Sequence, residues 1–342
     1  MALLEIKNLT LFIDTGDETV KALDKVNLRL DEGEIKALVG ESGSGKTLIV
    51  RAILGAIPDT WSIKADRITY QGKSMQDMSP EQRRQIMRRE IAVVFQEPAS
   101  ALDPSVKIKE QIKESIPDEF IEKAWPWQQS KQREALAISL LHRVGIKNHG
   151  RYMNCYPHEI PADVCQKIMI AMALASEPKI LIADDSTRGM ESATKTQILR
   201  LLLKFNKTKK LAILFVSHDL LAITSMAHSM TVLYCGQTVE SGKVKSLLKR
   251  PLHPYTKALL DSAPSFQVSL APKSKLVALD GTIPTLQHLP IGCRLGPRCP
   301  NARKECVIVP SPRSIQDHLY SCHFPLHLPK SAKRKSIKVV SL

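Results

Sequence analysis

Residues 35–47 read Ile35-Lys36-Ala37-Leu38-Val39-Gly40-Glu41-Ser42-Gly43-Ser44-Gly45-Lys46-Thr47. The first five positions make a short, mostly apolar run of strand length, and the last eight fit the pattern G-x-x-x-x-G-K-[ST]. A helix-like segment, residues 47–54, follows at once. Strand, glycine-rich turn and helix in that order form a cradle for phosphate. The glycines let backbone N–H groups close around phosphate oxygens, and the helix aims its positive end at them. Lys46 is expected to pair with the β and γ phosphates of a nucleotide, and Thr47 to hold Mg²⁺. A glycine-rich turn without chemistry is the competing reading, and the flanking strand and helix weigh against it.

Working outward, residues 91–95, 180–183 and 211–216 repeat the short aliphatic run without alternation, separated by helix-like segments such as residues 194–205. Such runs read as buried parallel strands of an α/β fold. Residues 3–11 and 25–30 instead alternate apolar and polar, as half-buried strands of an antiparallel sheet do. The strand at 180–183 ends in Asp184, placed to support Mg²⁺, and Asp185 follows as the group to orient or deprotonate an attacking water. Another strand ends at Ser217-His218-Asp219. Strands that end in polar residues fit a shared ligand site at the carboxyl edge of a parallel sheet.

With 342 residues, 43% hydrophobic and 24% charged, the chain can bury one large domain and carry an appendage. Lys and Arg number 49 against 34 Asp and Glu, a formal charge of +15 that suits nucleic acid, anionic lipid or phosphorylated ligands without choosing among them. Apolar stretches such as residues 168–175 fall short of the roughly 20 residues of a spanning helix, and the start lacks a signal-peptide pattern. The expectation is a cytosolic chain that spans nothing.

Residues 97–156 show helical spacing, interrupted by Pro117 and by Trp125-Pro126-Trp127, read here as a turn; packing of the two tryptophans against that helical region competes with a partner contact. After Arg250 the composition becomes proline-rich with little periodicity, ending in a basic run at 330–338 that reads as a disordered tail, either solvated or touching anionic lipid. Seven cysteines are too few for a disulfide scaffold, but four crowd into residues 293–322. Cys155, Cys165 and Cys235 read as core or loop thiols.

These residues together resemble the ABC ATPase family over essentially the whole chain. Val94-Phe95-Gln96-Glu97-Pro98 is similar to the family's Q-loop, which implies that Gln96 senses Mg²⁺ and couples the site to a membrane subunit; Phe95 reads as strand core. His218 matches the switch histidine that contacts the γ-phosphate, and Asp184 matches the Walker B aspartate. Tyr156-Pro157-His158-Glu159, residues 169–174, His253-Pro254-Tyr255-Thr256 and residues 292–300 resemble the peptide and nickel branch.

The resemblance implies an α/β P-loop NTPase (ABC ATPase) with a RecA-like parallel sheet core over residues 1–96 and 157–250 and an N-terminal antiparallel sheet. A helical subdomain at 97–156 and a Cys-bearing C-terminal extension at 251–342 complete it. It implies ATP and Mg²⁺ as ligands, a second ATP-binding subunit, two transmembrane permease subunits and, indirectly, a periplasmic peptide-binding protein. The implied place is the cytoplasmic face of a bacterial inner membrane. The implied cargo is peptides, antimicrobial ones included, or polyamines such as putrescine, with no nucleic acid partner. Two other readings stay open: an ATP-sensing regulatory subunit that supports potassium uptake, and an ABC protein acting on nucleic acid. The latter class usually carries two cassettes or a long coiled coil, and neither is visible in this sequence.

Three departures stand out. Where the family's signature segment reads Leu-Ser-Gly-Gly-Gln, this chain has Ile160-Pro161-Ala162-Asp163. The serine hydroxyl is gone, Pro161 removes a donor and Ala162 replaces a glycine. Asp163 adds a charge that at about 4 Å and an effective dielectric of about 20 repels a phosphate by roughly 4 kcal/mol. Asp185 stands where the family has Glu, about an ångström short of its water, a shortfall that can cost on the order of a hundredfold in rate. For stacking on adenine, Phe12 is the nearest aromatic, with strand core as its other reading. These departures point to an asymmetric heterodimer.

Cys293, Cys299, Cys306 and Cys322 are spaced C-x5-C-x6-C-x15-C, without the C-x2-C knuckle of ordinary zinc sites. The resemblance implies a [4Fe–4S] cluster there, with Arg294 and Arg298 offsetting its charge; zinc, free thiols and disulfides remain alternatives.

Overall fold

Ala2–Asp14 (β1) buries Leu4, Ile6, Leu9 and Leu11, while Glu5, Lys7, Asn8 and Thr10 between them are part-exposed or exposed. It pairs antiparallel with Thr19–Asp31 (β2), from Leu4 opposite Leu30 to Ile13 opposite Val20, with breaks of register near Leu9. The antiparallel sheet expected from alternation is present, and its strands run further than the alternating stretches. The computed structural model describes residues 2–95, 101–187, 189–263, 279–328 and 338–339. Contacts divide the chain into two units, residues 1–77 with 215–342, and residues 78–214.

In the first unit, Ile35–Val39 (β3) is buried at all five positions, as a run without alternation requires, and Lys46–Leu54 (α1) follows the glycine-rich turn. Trp61–Lys64 (β4) and Arg67–Tyr70 (β5) both pair with β1, and Lys73–Ser74 (β6) pairs with β5.

The second unit begins with Pro80–Arg89 (α2), a helix that buries nothing and that the apolar pattern does not foresee. Its signal is local: Ser79 and Gln82 form a capping box and Pro80 takes the first position. Ile91–Val94 (β7) comes next. Then follow Ile108–Ser115 (α3), Pro126–Arg143 (α4), His149–Met153 (α5) and Ala162–Ala173 (α6). Ile112, Ala137, Leu141 and Ile168 are buried on α3, α4 and α6. Ile180–Asp184 (β8), buried throughout, pairs in parallel with β7, Ile91 opposite Ile180, and Ser192–Lys209 (α7) follows.

Ala212–Val216 (β9) is again wholly buried. Its first N–H donates to the Lys179 carbonyl at 2.9 Å within the second unit, while Ser217 N–H, just past its end, donates to the Leu38 carbonyl at 3.3 Å within the first. Leu220–Met226 (α8), Ser229–Tyr234 (β10), Gln237–Lys243 (β11), Val244–Lys249 (α9) and Pro254–Asp261 (α10) continue the first unit. It ends in Arg313–Ile315 (β12), His318–Tyr320 (β13) and Lys338–Val339 (β14). β10 lies parallel to β3 and turns through Cys235 and Gly236 into antiparallel β11. β11 then pairs with β13, β13 with β12, and β12 with β14.

Four expectations are corrected. Phe95 is not strand core: β7 stops at Val94, and Phe95 is 48% exposed. Trp125-Pro126-Trp127 is not a turn but the start of α4, since a proline without an N–H suits the first helical position. Neither tryptophan packs inward; they are 72% and 59% exposed, and Lys131 lies over the Trp127 ring. The stretch after Arg250 is more than irregular chain, because a hairpin of β12 and β13 joins β11. The tail expectation at 330–338 lies outside the described residues except for Lys338, which pairs with Ser314.

One buried carboxylate fastens the appendage. Glu240 in β11 is fully buried and accepts from the N–H groups of Leu252 and His253 at 2.7 and 2.9 Å and pairs with His318 of β13 at 2.6 Å. His253 in turn caps α10 by accepting the Tyr255 N–H on Nδ1 at 3.1 Å, and burial drives its pKa down to about 4, so the ring is a neutral acceptor.

Candidate nucleotide site

In the first unit, β3 delivers residues 40–47 to the start of α1. The turn is tight enough that Gly40 has no room for a side chain: a Cβ there would lie 2.3 Å from the Leu233 carbonyl oxygen and 2.7 Å from Ser44 Oγ. Ser44 is buried, and Ser42, Gly43 and Thr47 are exposed. Lys46 folds back over the loop, its ammonium donating to the carbonyls of Gly40 and Glu41 at 2.8 and 2.9 Å and to Ser44 Oγ at 3.3 Å. A cation is therefore held where the loop's N–H groups and the positive end of α1 also favour an anion. The far side of the loop is fixed by Gly236, whose N–H donates to the Ser44 carbonyl at 2.8 Å and whose own carbonyl accepts from Asp24 N–H at 2.9 Å.

Also in this unit, Ser217 is buried at the end of β9, and Asp219 caps α8 by accepting the N–H groups of Leu221 and Ala222 at 2.9 and 3.2 Å. His218 between them is exposed. Phe12 stands part-exposed on β1 with Lys64 Nζ 5.6 Å from its ring centroid, so it is not buried strand core.

In the second unit, Asp184 is the last residue of β8 and is 7% exposed. Asp185 leaves the strand with a φ of 44°, left-handed backbone that Asp tolerates better than most residues. The hydroxyl of Ser186, which follows, is buried without a hydrogen-bond partner among the described residues. The segment at 160–163 sits at the start of α6: Pro161 takes the cap position, no side chain caps the helix, and Asp163 lies in the first turn. Gln96 lies outside the described residues.

The four cysteines of the appendage line one small pocket with His253 and Phe324, and Cys293 N–H donates to the Cys306 carbonyl at 2.8 Å. None forms a disulfide. Burial, with the neighbouring thiols adding to it, raises the pKa of Cys293 and Cys299 and pushes Cys322 up to about 12. Among the described residues, no group of three or more His, Cys, Asp or Glu is gathered so as to hold a metal ion. Nor do Arg294 and Arg298 serve to offset charge in this pocket. Arg294 donates to the Cys235 carbonyl and pairs with Asp24 at 3.6 Å, and Arg298 reaches Glu41 and Tyr234.

Among the described residues no helix is long and apolar enough to cross a membrane. An α/β fold with this loop between strand and helix defines a P-loop nucleotide-binding protein. The ABC transporter family model matches residues 23–188, and the model for the C-terminal region of oligopeptide/dipeptide transporters matches residues 239–306. The peptide transport system ATP-binding protein SapD of Escherichia coli is 48% identical over 96% of this chain and 100% of its own length. SapD of Haemophilus influenzae is 46% identical over 98% of this chain and 96% of its own. The dipeptide transport ATP-binding protein DppD of Escherichia coli is 36% identical over 95% of this chain and 98% of its own. Among solved structures, an ATP-binding cassette in a dimeric post-hydrolysis state with ADP and Pi superposes with a TM-score of 0.61 at 26% identity, covering 70% of this chain and 98% of that one. The chain belongs to the ATP-binding subunits of peptide-type ABC transporters and is an ABC-type ATPase.

Proposed function

We propose that this chain is one of two unequal ATP-binding subunits that drive a peptide transporter from the cytoplasmic face of a bacterial inner membrane. Its neighbours are a second ATP-binding subunit of the SapF kind, two transmembrane permeases and, indirectly, a periplasmic peptide-binding protein. Peptides, antimicrobial ones included, or polyamines such as putrescine are the cargo. The ATPase core is assigned to residues 1–96 and 157–250, the helical subdomain to 97–156 and the extension to 251–342.

At the nucleotide, Lys46 pairs with the β and γ phosphates and Thr47, Gln96 and Asp184 support Mg²⁺. Asp185 orients the attacking water, His218 contacts the γ-phosphate, and Phe12 faces the adenine. The observation that carries the inequality is the start of α6. With Pro161 in the cap position and Asp163 in the first turn, that helix end offers a partner's phosphates no hydroxyl and presents a negative charge instead. The site built from this P-loop and the partner's signature hydrolyses ATP slowly, while the site that uses residues 161–163 mainly holds nucleotide. Lys46→Ala here, set against the equivalent change in the partner subunit, tests the assignment. Turnover of the purified complex should fall more for the change in this chain. A dispensable Lys46 would reverse the assignment and favour the ATP-sensing reading, to which the short Asp185 also lends weight.

The same reading places a [4Fe–4S] cluster on Cys293, Cys299, Cys306 and Cys322. Four undisulfided thiols lining one pocket are the ligand type that such a cluster takes. The cluster would supply a structural cross-link among the loops. Iron and sulfide analysis of anaerobically purified protein tests it, and a colourless, iron-free chain refutes it.

A further inference from the structure

Glu41 is the second residue of the phosphate loop, a position whose residue type the motif leaves open. Two residues of the C-terminal third of the chain hold it. Its N–H donates to Tyr255 Oη of α10 at 2.8 Å, and its carboxylate lies 3.1 Å from Arg298 Nη1. The Arg298 side chain is only 8% exposed. Its guanidinium also donates to Tyr234 Oη at 3.3 Å and to the Asp280 carbonyl at 3.2 Å, and it lies 5.8 Å from the Tyr234 ring centroid. The Tyr234 and Tyr255 rings are 4.7 Å apart, and both residues are fully buried. A dry, planar, always-charged group fixed by four contacts is a rigid anchor. A second tie runs through the buried Arg294. It holds the Cys235 carbonyl, and the next residue, Gly236, holds Ser44.

We infer that Arg298 and Tyr255 are positioning residues for the phosphate loop, which makes the C-terminal extension part of the nucleotide site. They fix the backbone and side chain of Glu41, so that residues 43–47 keep the curvature a polyphosphate requires. Released from them, the loop samples other shapes and the nucleotide must reorder it on binding, which weakens affinity. This rests on the nucleotide-binding reading above.

The test is titration of the full-length chain with ATP and Mg²⁺, read by calorimetry, alongside thermal unfolding. Tyr255→Phe deletes one hydroxyl and leaves the ring packing, so ATP should bind about tenfold more weakly, the order expected for one lost hydrogen bond to a buried group. Arg298→Ala should weaken binding at least as much, and Arg298→Lys should recover part of the loss. Glu41→Gln added to Arg298→Ala should cost little more than Arg298→Ala alone, because the two changes break one interaction. A merely structural role would lower the folded fraction and the number of sites while leaving the Kd of folded protein unchanged. Affinities within twofold of wild type for folded Tyr255→Phe and Arg298→Lys overturn the inference, and these two variants carry the test if Arg298→Ala does not fold. Lys46→Ala separates the failures: if wild type fails to bind ATP, or Lys46→Ala binds it equally, the nucleotide reading itself is wrong.

Discussion

Replacing Gly236 by Ala should damage both the fold and the nucleotide site. The residue has a φ of 76°, and a Cβ built on it would lie 1.9 Å from the Ala22 carbonyl oxygen and 3.0 Å from the Ala22 carbonyl carbon. Left-handed backbone costs a residue with a Cβ roughly 1–2 kcal/mol. A contact that short is with backbone on both sides and cannot be relieved by a rotamer, so the turn must move away from β2. Strain from such overpacking is typically about 1–3 kcal/mol. Together these predict about 2–5 kcal/mol of lost stability, read as a lower urea midpoint at unchanged slope. Gly72→Ala is the control, since φ is 76° there too but nothing lies within 4 Å. It should show only the backbone part, about 1–2 kcal/mol. Because Gly236 N–H holds the Ser44 carbonyl, ATP affinity should fall for Gly236→Ala and not for Gly72→Ala. Equal destabilisation by the two substitutions, or unchanged ATP affinity in folded Gly236→Ala, would refute the reasoning.

Glu240→Ala should destabilise the chain by about 2–5 kcal/mol, because two buried backbone N–H groups and His318 lose their acceptor together; chemical denaturation measures it. Burial opposes ionisation of Asp24, but the Gln237 amide, Lys21 and Arg294 outweigh it and hold the carboxyl below the usual range. A depressed folded pKa gives stability that is present above the unfolded pKa of about 3.9 and lost as pH falls through the folded value. Asp24→Asn should therefore unfold more easily than wild type at pH about 7, the gap closing in acid; a gap that persists there would remove this role. Asp185→Glu should raise turnover of the transporter complex, by up to about a hundredfold if reach is limiting. It should also cost about 1 kcal/mol of stability, since Glu fits left-handed backbone less well. A drop in steady-state ATPase rate would show that the shorter carboxylate is suited to its place.

The phosphate loop was legible because its requirements are local: an apolar run, fixed glycines and a lysine within thirteen residues. The wholly buried strands β3, β8 and β9 were legible for the same reason. Pro126 misled because a proline after an aromatic residue signals a turn as readily as a helix start, and only the chain beyond it decides. The extension was harder still. Glu240 finds its partners 12, 13 and 78 residues further on, and Arg298 reaches Glu41 across 257 residues. No periodicity carries such pairings. His253-Pro254-Tyr255-Thr256 was visible as a motif, but that its tyrosine touches the phosphate loop followed only from the structure.

The pairing of β11 with β13 has a consequence for how the protein can be cut. Without residues 313–320, β11 would become an open sheet edge with unpaired N–H and C=O groups at residues 240 and 241, a template for another chain's strand. Glu240 would at the same time lose His318, and a cut at residue 250 would also remove the Leu252 and His253 N–H groups that it accepts. A core shortened at residue 250 should thus self-associate through that edge, and its turnover would report on aggregates and not on the native ATPase.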